Sequence, residues 1–123
     1  MMTEVHTYKT SLNGEGMRIA IAVADFNTTV TAGLLSGAVS KLEALGVNAK
    51  DISVAHVPGA IELTGVAKRF VDSKKFDAVI VLGAVIRGET PHFDCVVNAA
   101  TNGTAALAAN GQIPVIFGVL TTD

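Results

Sequence analysis

The chain has 123 residues, of which half are hydrophobic and 16% are charged, so it is long enough to bury one core and is not typical of a disordered protein. Its net charge of −2 offers no electrostatic basis for binding nucleic acid or an anionic membrane, and its longest apolar run, Ala78 to Ile86, is far shorter than the roughly 20 residues that span a bilayer. One cysteine and three scattered histidines give no internal disulfide and no metal-ligand spacing, and the polar N-terminus has no signal-peptide core, so we expect a soluble cytoplasmic protein.

In chain order, residues 1–16 carry little hydrophobic pattern and are predicted to form a tail ahead of one domain, 17–123. A strand is predicted over 17–24 because nearly every position is apolar, as in a parallel sheet covered on both faces. Between Thr28 and Leu45 the apolar residues recur every three or four positions, which predicts a helix. The remaining pattern predicts strands over 52–57, 78–86 and 113–119, alternating with helices over 61–71 and 91–109.

Alternating strands and helices predict a parallel sheet with right-handed crossovers. We therefore expect a flavodoxin-like α/β domain with three layers, α/β/α, around a four-stranded parallel sheet. Three helices must cover two faces, and the fourth strand is apolar on both sides with no helix after it. One face of the sheet is therefore expected to be under-covered.

The stretch 87–92 is the most informative of the segments that follow the strands, where ligands of open α/β sheets bind. Pro91 suits the first position of a helix and Thr90 is a favoured N-cap. Free N–H groups at a helix start bind phosphate, and His92 in the first turn could transfer protons near neutral pH. The alternative is an ordinary cap with a solvent-exposed histidine.

Of three other candidate positions, two have two interpretations each, Glu62 and Phe26. Glu62 follows Pro58-Gly59 at a helix start, where the helix dipole alone favours a carboxylate, but it could also accept hydrogen bonds from a polyol. Phe26 follows a strand end, where it could stack on a flat ring or cap the first helix. Phe117 lies inside an apolar strand and would by default belong to the core. Dinucleotide, P-loop and nucleophile-elbow motifs do not occur in the sequence.

Four motifs at these segments resemble the lumazine synthase family: ADFN (24–27), VPGAIEL (57–63), VLGAVIRGETPHFD (81–94) and FGVLTTD (117–123). The resemblance implies condensation of 5-amino-6-(D-ribitylamino)uracil with 3,4-dihydroxy-2-butanone 4-phosphate. The products would be 6,7-dimethyl-8-ribityllumazine, the penultimate intermediate of riboflavin biosynthesis, with inorganic phosphate and water. It implies no metal and no organic cofactor.

The resemblance also implies a role for each matching residue. Phe26 would stack on the pyrimidine, and Phe117 would reach into the site of a neighbouring subunit. His92 would transfer protons during imine formation and phosphate elimination. The other implied substrate contacts are the ring edge and ribityl chain at Ala60, Ile61 and Glu62, the pyrimidine at the main chain of Ala84, Val85 and Ile86, and the phosphate at Glu89 and Thr90.

The sequence departs from the family pattern in two places. Thr64 stands where a proline is usual. The resemblance also leads us to expect two helices after the TTD segment, with a phosphate-binding arginine and a lysine, and the 123 residues do not include them. On that basis we expect residues 1–123 alone to have little synthase activity. The family forms pentamers and shells of sixty subunits, so a homo-oligomer is expected. Two alternatives stay open, a non-catalytic module that binds a flavin or pterin-like ring, and an assembly scaffold.

Overall fold

A computed structural model describes residues 4–123. Its four strands are β1 (Ile19–Ala24), β2 (Ile52–Val57), β3 (Ala78–Ile86) and β4 (Val115–Thr122). Its three α-helices are α1 (Thr28–Ala44), α2 (Leu63–Asp72) and α3 (His92–Ala109), and short 3₁₀ turns cover Ala49–Asp51 and Ala60–Glu62. Residues 1–3 of the predicted tail lie outside the described residues, and the rest of the tail contains no helix or strand.

The strands form one parallel sheet in the order β2-β1-β3-β4. This confirms the predicted four-stranded flavodoxin-like α/β fold. The order changes direction at β1, whose neighbours β2 and β3 both follow it in the chain. A crevice opens at such a point, outside the carboxyl ends of the strands, and that is where ligands of this architecture bind.

Side chains of β1 alternate between two buried layers, since successive residues of a strand point to opposite faces. Ile21 and Val23 pack with α1 residues such as Leu35 on one face. Ala22 and Ala24 belong to the second layer, on the face that α2 and α3 cover. All six β1 residues are buried, as predicted for a strand covered on both sides.

The face with α1 is only partly covered. Ile116 of β4 pairs with Ile80, which packs in the α1 layer, so Ile116 points to the same face. Ile116 and Leu120, four residues further along the same strand, remain 52% and 45% exposed. The expectation that one face would be under-covered is therefore confirmed.

The structure differs from the sequence prediction at several ends of elements. The fourth strand begins at Val115 and continues to Thr122, because its pairing with β3 extends to Ile86. The second helix is preceded by a 3₁₀ turn at Ala60–Glu62. β2 and β4 are edge strands, so their side chains are more exposed than their apolar sequences suggested.

Helices α2 and α3 approach closely at Gly103. A Cβ atom on Gly103 would overlap the Thr64 side chain, so a larger residue at this crossing would require Thr64 to shift. Among the described residues the buried hydroxyls of Thr64 and Thr104 have no hydrogen-bond partner. The contact fixes the spacing of the two helices that begin beside the carboxyl ends of the strands.

No helix within residues 4–123 is long and apolar enough to cross a membrane.

Candidate functional site

A cleft of about 430 Å³ lies at the carboxyl ends of the central strands. Three loop regions meet there, those that follow β1, β2 and β3, together with the first turns of α3. Its surface is mostly apolar, with a few polar groups, as is usual for small-molecule sites. The lining residues are Phe26, Asn27, Gly59, Ala60, Ile61, Glu62, Ala84, Val85, Ile86, Gly88, Thr90, His92, Phe93 and Val96.

The loop after β1 presents Phe26 at the cleft with its side chain 71% exposed. Its backbone is tied to the neighbouring loop, because the Phe26 N–H donates to the Pro58 carbonyl at 2.9 Å. The next residue, Asn27, has a left-handed backbone with φ 65°, a conformation that asparagine tolerates better than most residues. The Asn27 amide nitrogen donates to the Ala84 carbonyl at 2.9 Å and so ties this loop to β3 as well.

The loop after β2 places a carboxylate in the cleft wall. The Glu62 Oε1 atom accepts a hydrogen bond from the Gly59 N–H at 2.9 Å and so closes the turn that precedes α2. This contact agrees with the structural interpretation of Glu62 as a helix-start carboxylate. Glu62 also lines the cleft, and a carboxylate has two oxygens that accept hydrogen bonds, so the same side chain is placed to bind hydroxyl groups of a ligand.

The loop after β3 leads into α3, and its arrangement corrects one prediction. The cap position is Pro91, which makes no side-chain cap, and α3 begins at His92. The Thr90 hydroxyl lies 3.0 Å from Nδ1 of His92, so it fixes the histidine ring and does not cap a backbone N–H. The Asp94 N–H donates to the Pro91 carbonyl at 3.1 Å, so the first-turn N–H groups available for an anion beside the histidine are those of His92 and Phe93.

A positive charge lies next to this helix start. The Arg87 guanidinium sits 4.3 Å from the centre of the Phe93 ring, and its Nε lies 3.4 Å from Oδ1 of Asp123. Phe93 lines the cleft, so the cation stacks on one of the cleft-forming rings. Arg87 itself is half exposed.

The structure gathers nine of the eleven residues singled out from the sequence around this cleft. Glu89 and Phe117 do not line it. Phe117 is 42% exposed, so its default assignment to the core is wrong, and the reason is that β4 is an edge strand.

Five lining residues were missed from the sequence. Val96 lies four positions after His92 on the same helix face, and this spacing could have revealed it. Asn27 follows a strand end directly, where asparagine is typical of a left-handed turn. The other three are Gly59, Gly88 and Phe93. Within the part of the chain that the structure describes, no group of three or more His, Cys, Asp or Glu side chains is placed to hold a metal ion.

Parallel α/β domains bind small molecules where their strands end, and the cleft lies there, so the fold and site define a flavodoxin-like small-molecule-binding domain. The chain also matches a family model over residues 16–123, which is nearly its whole length. That family is described as 6,7-dimethyl-8-ribityllumazine synthase, and the chain belongs to it.

Proposed function

We propose that the protein is a 6,7-dimethyl-8-ribityllumazine synthase, which condenses 5-amino-6-(D-ribitylamino)uracil with 3,4-dihydroxy-2-butanone 4-phosphate. Family membership supports the proposal. The observation that carries it is one cleft that combines an exposed aromatic ring, a carboxylate and a histidine at a helix start, at Phe26, Glu62 and His92. The ring of Phe26 suits a flat pyrimidine, and the carboxylate of Glu62 suits a polyol. The helix start beside His92 suits a phosphate ester whose reaction requires proton transfers.

The pyrimidine is proposed to lie between Phe26 and the end of β3. Aromatic rings stack on flat heterocycles, and Phe26 is exposed and held at the cleft by hydrogen bonds from its own backbone and from Asn27. Ala84 and Val85 have small buried side chains, so a ring edge could reach the main chain there. Ile86 lies at the open end of the same wall and is 46% exposed.

The ribityl chain is proposed to lie along the loop after β2. Ala60 and Ile61 form the apolar part of this wall, and Glu62 supplies the acceptor for ribityl hydroxyl groups. The Gly59 N–H holds the carboxylate in place before a ligand arrives. A polar group that is already ordered loses less conformational entropy on binding, which favours affinity.

The phosphate ester is proposed to bind at the start of α3, where backbone N–H groups and the Thr90 hydroxyl can donate to phosphate oxygens. Glu89, which the family resemblance places at this phosphate, would contribute through its main chain, because its carboxylate would repel the anion. His92 stands beside this position and is proposed to be the proton-transfer residue. Imine formation releases water and requires a proton on the departing oxygen, while phosphate elimination requires a proton to leave carbon.

The proposal is tested by incubating the intact protein with both substrates and measuring lumazine and inorganic phosphate over time. Reactions that lack one substrate, and a protein-free mixture, are the controls. We expect lumazine and phosphate to appear in equal amounts. Binding of the lumazine ring without product formation would refute the synthase and favour the alternative, a non-catalytic module for flavin or pterin-like rings.

The intact protein is further proposed to be a homo-oligomer, a pentamer or a multiple of pentamers. Ile116 and Leu120 are half-exposed apolar residues on the face of β4 that α1 leaves uncovered, and Phe117 is half-exposed on the opposite face. Proteins rarely leave contiguous apolar patches in contact with water. Phe117 would then contribute to the cleft of a neighbouring subunit. Sedimentation velocity measures the mass, and a stable monomer that retains full activity would refute this assembly. An assembled protein without activity would instead support a scaffold.

A further inference from the structure

We propose that Asp25 and His56 form a positioning pair that holds Phe26 in place for ring stacking. The Asp25 Oδ1 and His56 Nδ1 atoms are 2.7 Å apart, a short hydrogen bond between a carboxylate and an imidazole. The inference rests on the proposed function, since it concerns the ring that the pyrimidine would contact. Neither Asp25 nor His56 lines the cleft, so the pair acts through Phe26 and not on the substrate.

The geometry of the sheet explains why these two side chains meet. His56 pairs with Val23 across the β1–β2 ladder, and Val23 points to the face that α1 covers. Asp25 follows Val23 by two positions, so the period of an extended chain directs it to the same face. The pair therefore joins the carboxyl end of β2 to the first residue after β1.

The pair adds side-chain contact to a set of backbone hydrogen bonds between the same two segments. The Asp25 N–H donates to the Val57 carbonyl at 2.8 Å, and the Phe26 N–H donates to the Pro58 carbonyl at 2.9 Å. On its other side, the Asp25 carbonyl accepts a hydrogen bond from the Thr28 hydroxyl at 2.6 Å. Asp25 is thus held at three of its polar groups, immediately before Phe26.

This arrangement matters because Phe26 is largely exposed and has few packing contacts of its own. A ring that sampled several orientations would lose conformational entropy when a ligand stacked on it, and that loss would weaken binding. Fixing the preceding residue removes part of the loss in advance. The pair should therefore affect affinity for the flat ring, and leave the proton transfers at His92 unchanged.

The test measures the Kd of 6,7-dimethyl-8-ribityllumazine, together with KM for each substrate and kcat, for Asp25→Ala, His56→Ala and the double variant. Both side chains of the pair are 55% exposed, and an exposed polar pair of this kind corresponds to a change of about two- to fivefold in an equilibrium constant. We expect lumazine Kd and pyrimidine KM to rise by that factor. The double variant should be no worse than either single variant, because the two residues act as one unit.

Two further variants separate positioning from general stability. His56→Asn keeps a nitrogen donor near the position of Nδ1 and should restore most of the affinity. Asp72→Ala removes a comparably exposed pair with Lys68 on α2, away from the cleft, and should leave Kd unchanged while it alters the melting temperature as much as Asp25→Ala does.

The outcomes are distinguishable. Three results would each overturn the positioning pair alone, provided that the wild type binds lumazine. They are an unchanged Kd in the Asp25 and His56 variants, additive losses in the double variant, and a rise in KM for the butanone phosphate equal to that for the pyrimidine. Binding without product formation by the wild type would overturn the synthase proposal and still allow the pair to be tested by Kd. A wild type that does not bind lumazine would overturn both.

Discussion

Replacing Phe26 with alanine tests the ring-stacking part of the proposed site most directly. The side chain is 71% exposed, so its removal should cost little folding stability, as for most surface substitutions. Stacking of a flat heterocycle on an aromatic side chain contributes about 1–3 kcal/mol. That range corresponds to a rise of about 5- to 150-fold in the KM of the pyrimidine.

The assay varies one substrate at a time while the other is saturating, with the product measured by its absorbance. KM for the butanone phosphate should change little, because the phosphate is proposed to bind at the start of α3. Tyr8→Ala removes another exposed aromatic ring, 90% exposed and in the N-terminal segment, and should leave both KM values unchanged. An equal effect of Phe26→Ala on the two substrates, or none on the pyrimidine, would refute the stacking geometry.

His92→Ala should lower kcat by about 10²–10⁴-fold without abolishing turnover, since binding of the two substrates side by side survives the loss of one proton-transfer group; single-turnover kinetics with an unchanged chemical step would remove His92 from the mechanism. Thr90→Val should raise KM for the butanone phosphate by about tenfold or more and leave pyrimidine KM nearly unchanged, because a hydrogen bond to a charged group is lost; steady-state titration of each substrate checks it, and an equal rise in both would indicate a distorted loop. Hydrogen bonds from the Arg18 backbone and side chain lower the pKa of Asp77 below its ordinary value of 3.8. Their contribution to stability is therefore present above pH 3.8 and is lost as pH falls through the lower pKa of the folded state. Asp77→Asn should lower the melting temperature at neutral pH, with a difference from wild type that shrinks in acid; a constant difference across a thermal-unfolding series would contradict this.

Periodicity was sufficient to predict the fold class because both kinds of pattern are strong in this chain. The run at β1 is apolar at every position and is buried at every position, and α1 was predicted to within one residue of its end. Periodicity alone did not give the order of the strands in the sheet. The edge positions of β2 and β4 follow from that order, so the exposure of Val54 and Phe117 could not be predicted.

The candidate site was predictable where a residue follows a strand end or begins a helix, as at Phe26, Glu62 and His92. It was less predictable where side chains compete for the same hydrogen bond. Thr90 is a favoured cap by residue type, but in the folded chain its hydroxyl meets the His92 ring two positions later. The Asp25–His56 contact joins the loop after β1 to β2, 31 positions apart in the chain, so finding it required the register of the sheet.

The pairing of the strands also has a kinetic consequence. No ladder of this sheet is a hairpin: Ile19 pairs with Ile52, and Val79 pairs with Val115, so each contact closes a long segment of chain. Loop closure must precede the energy gained from such pairs, and parallel sheets therefore fold slowly compared with helical bundles. During that interval β4, with its apolar residues and an unpaired edge, is a template for intermolecular strand addition. Refolding yield should accordingly fall as protein concentration rises, even at concentrations where the folded state is fully soluble.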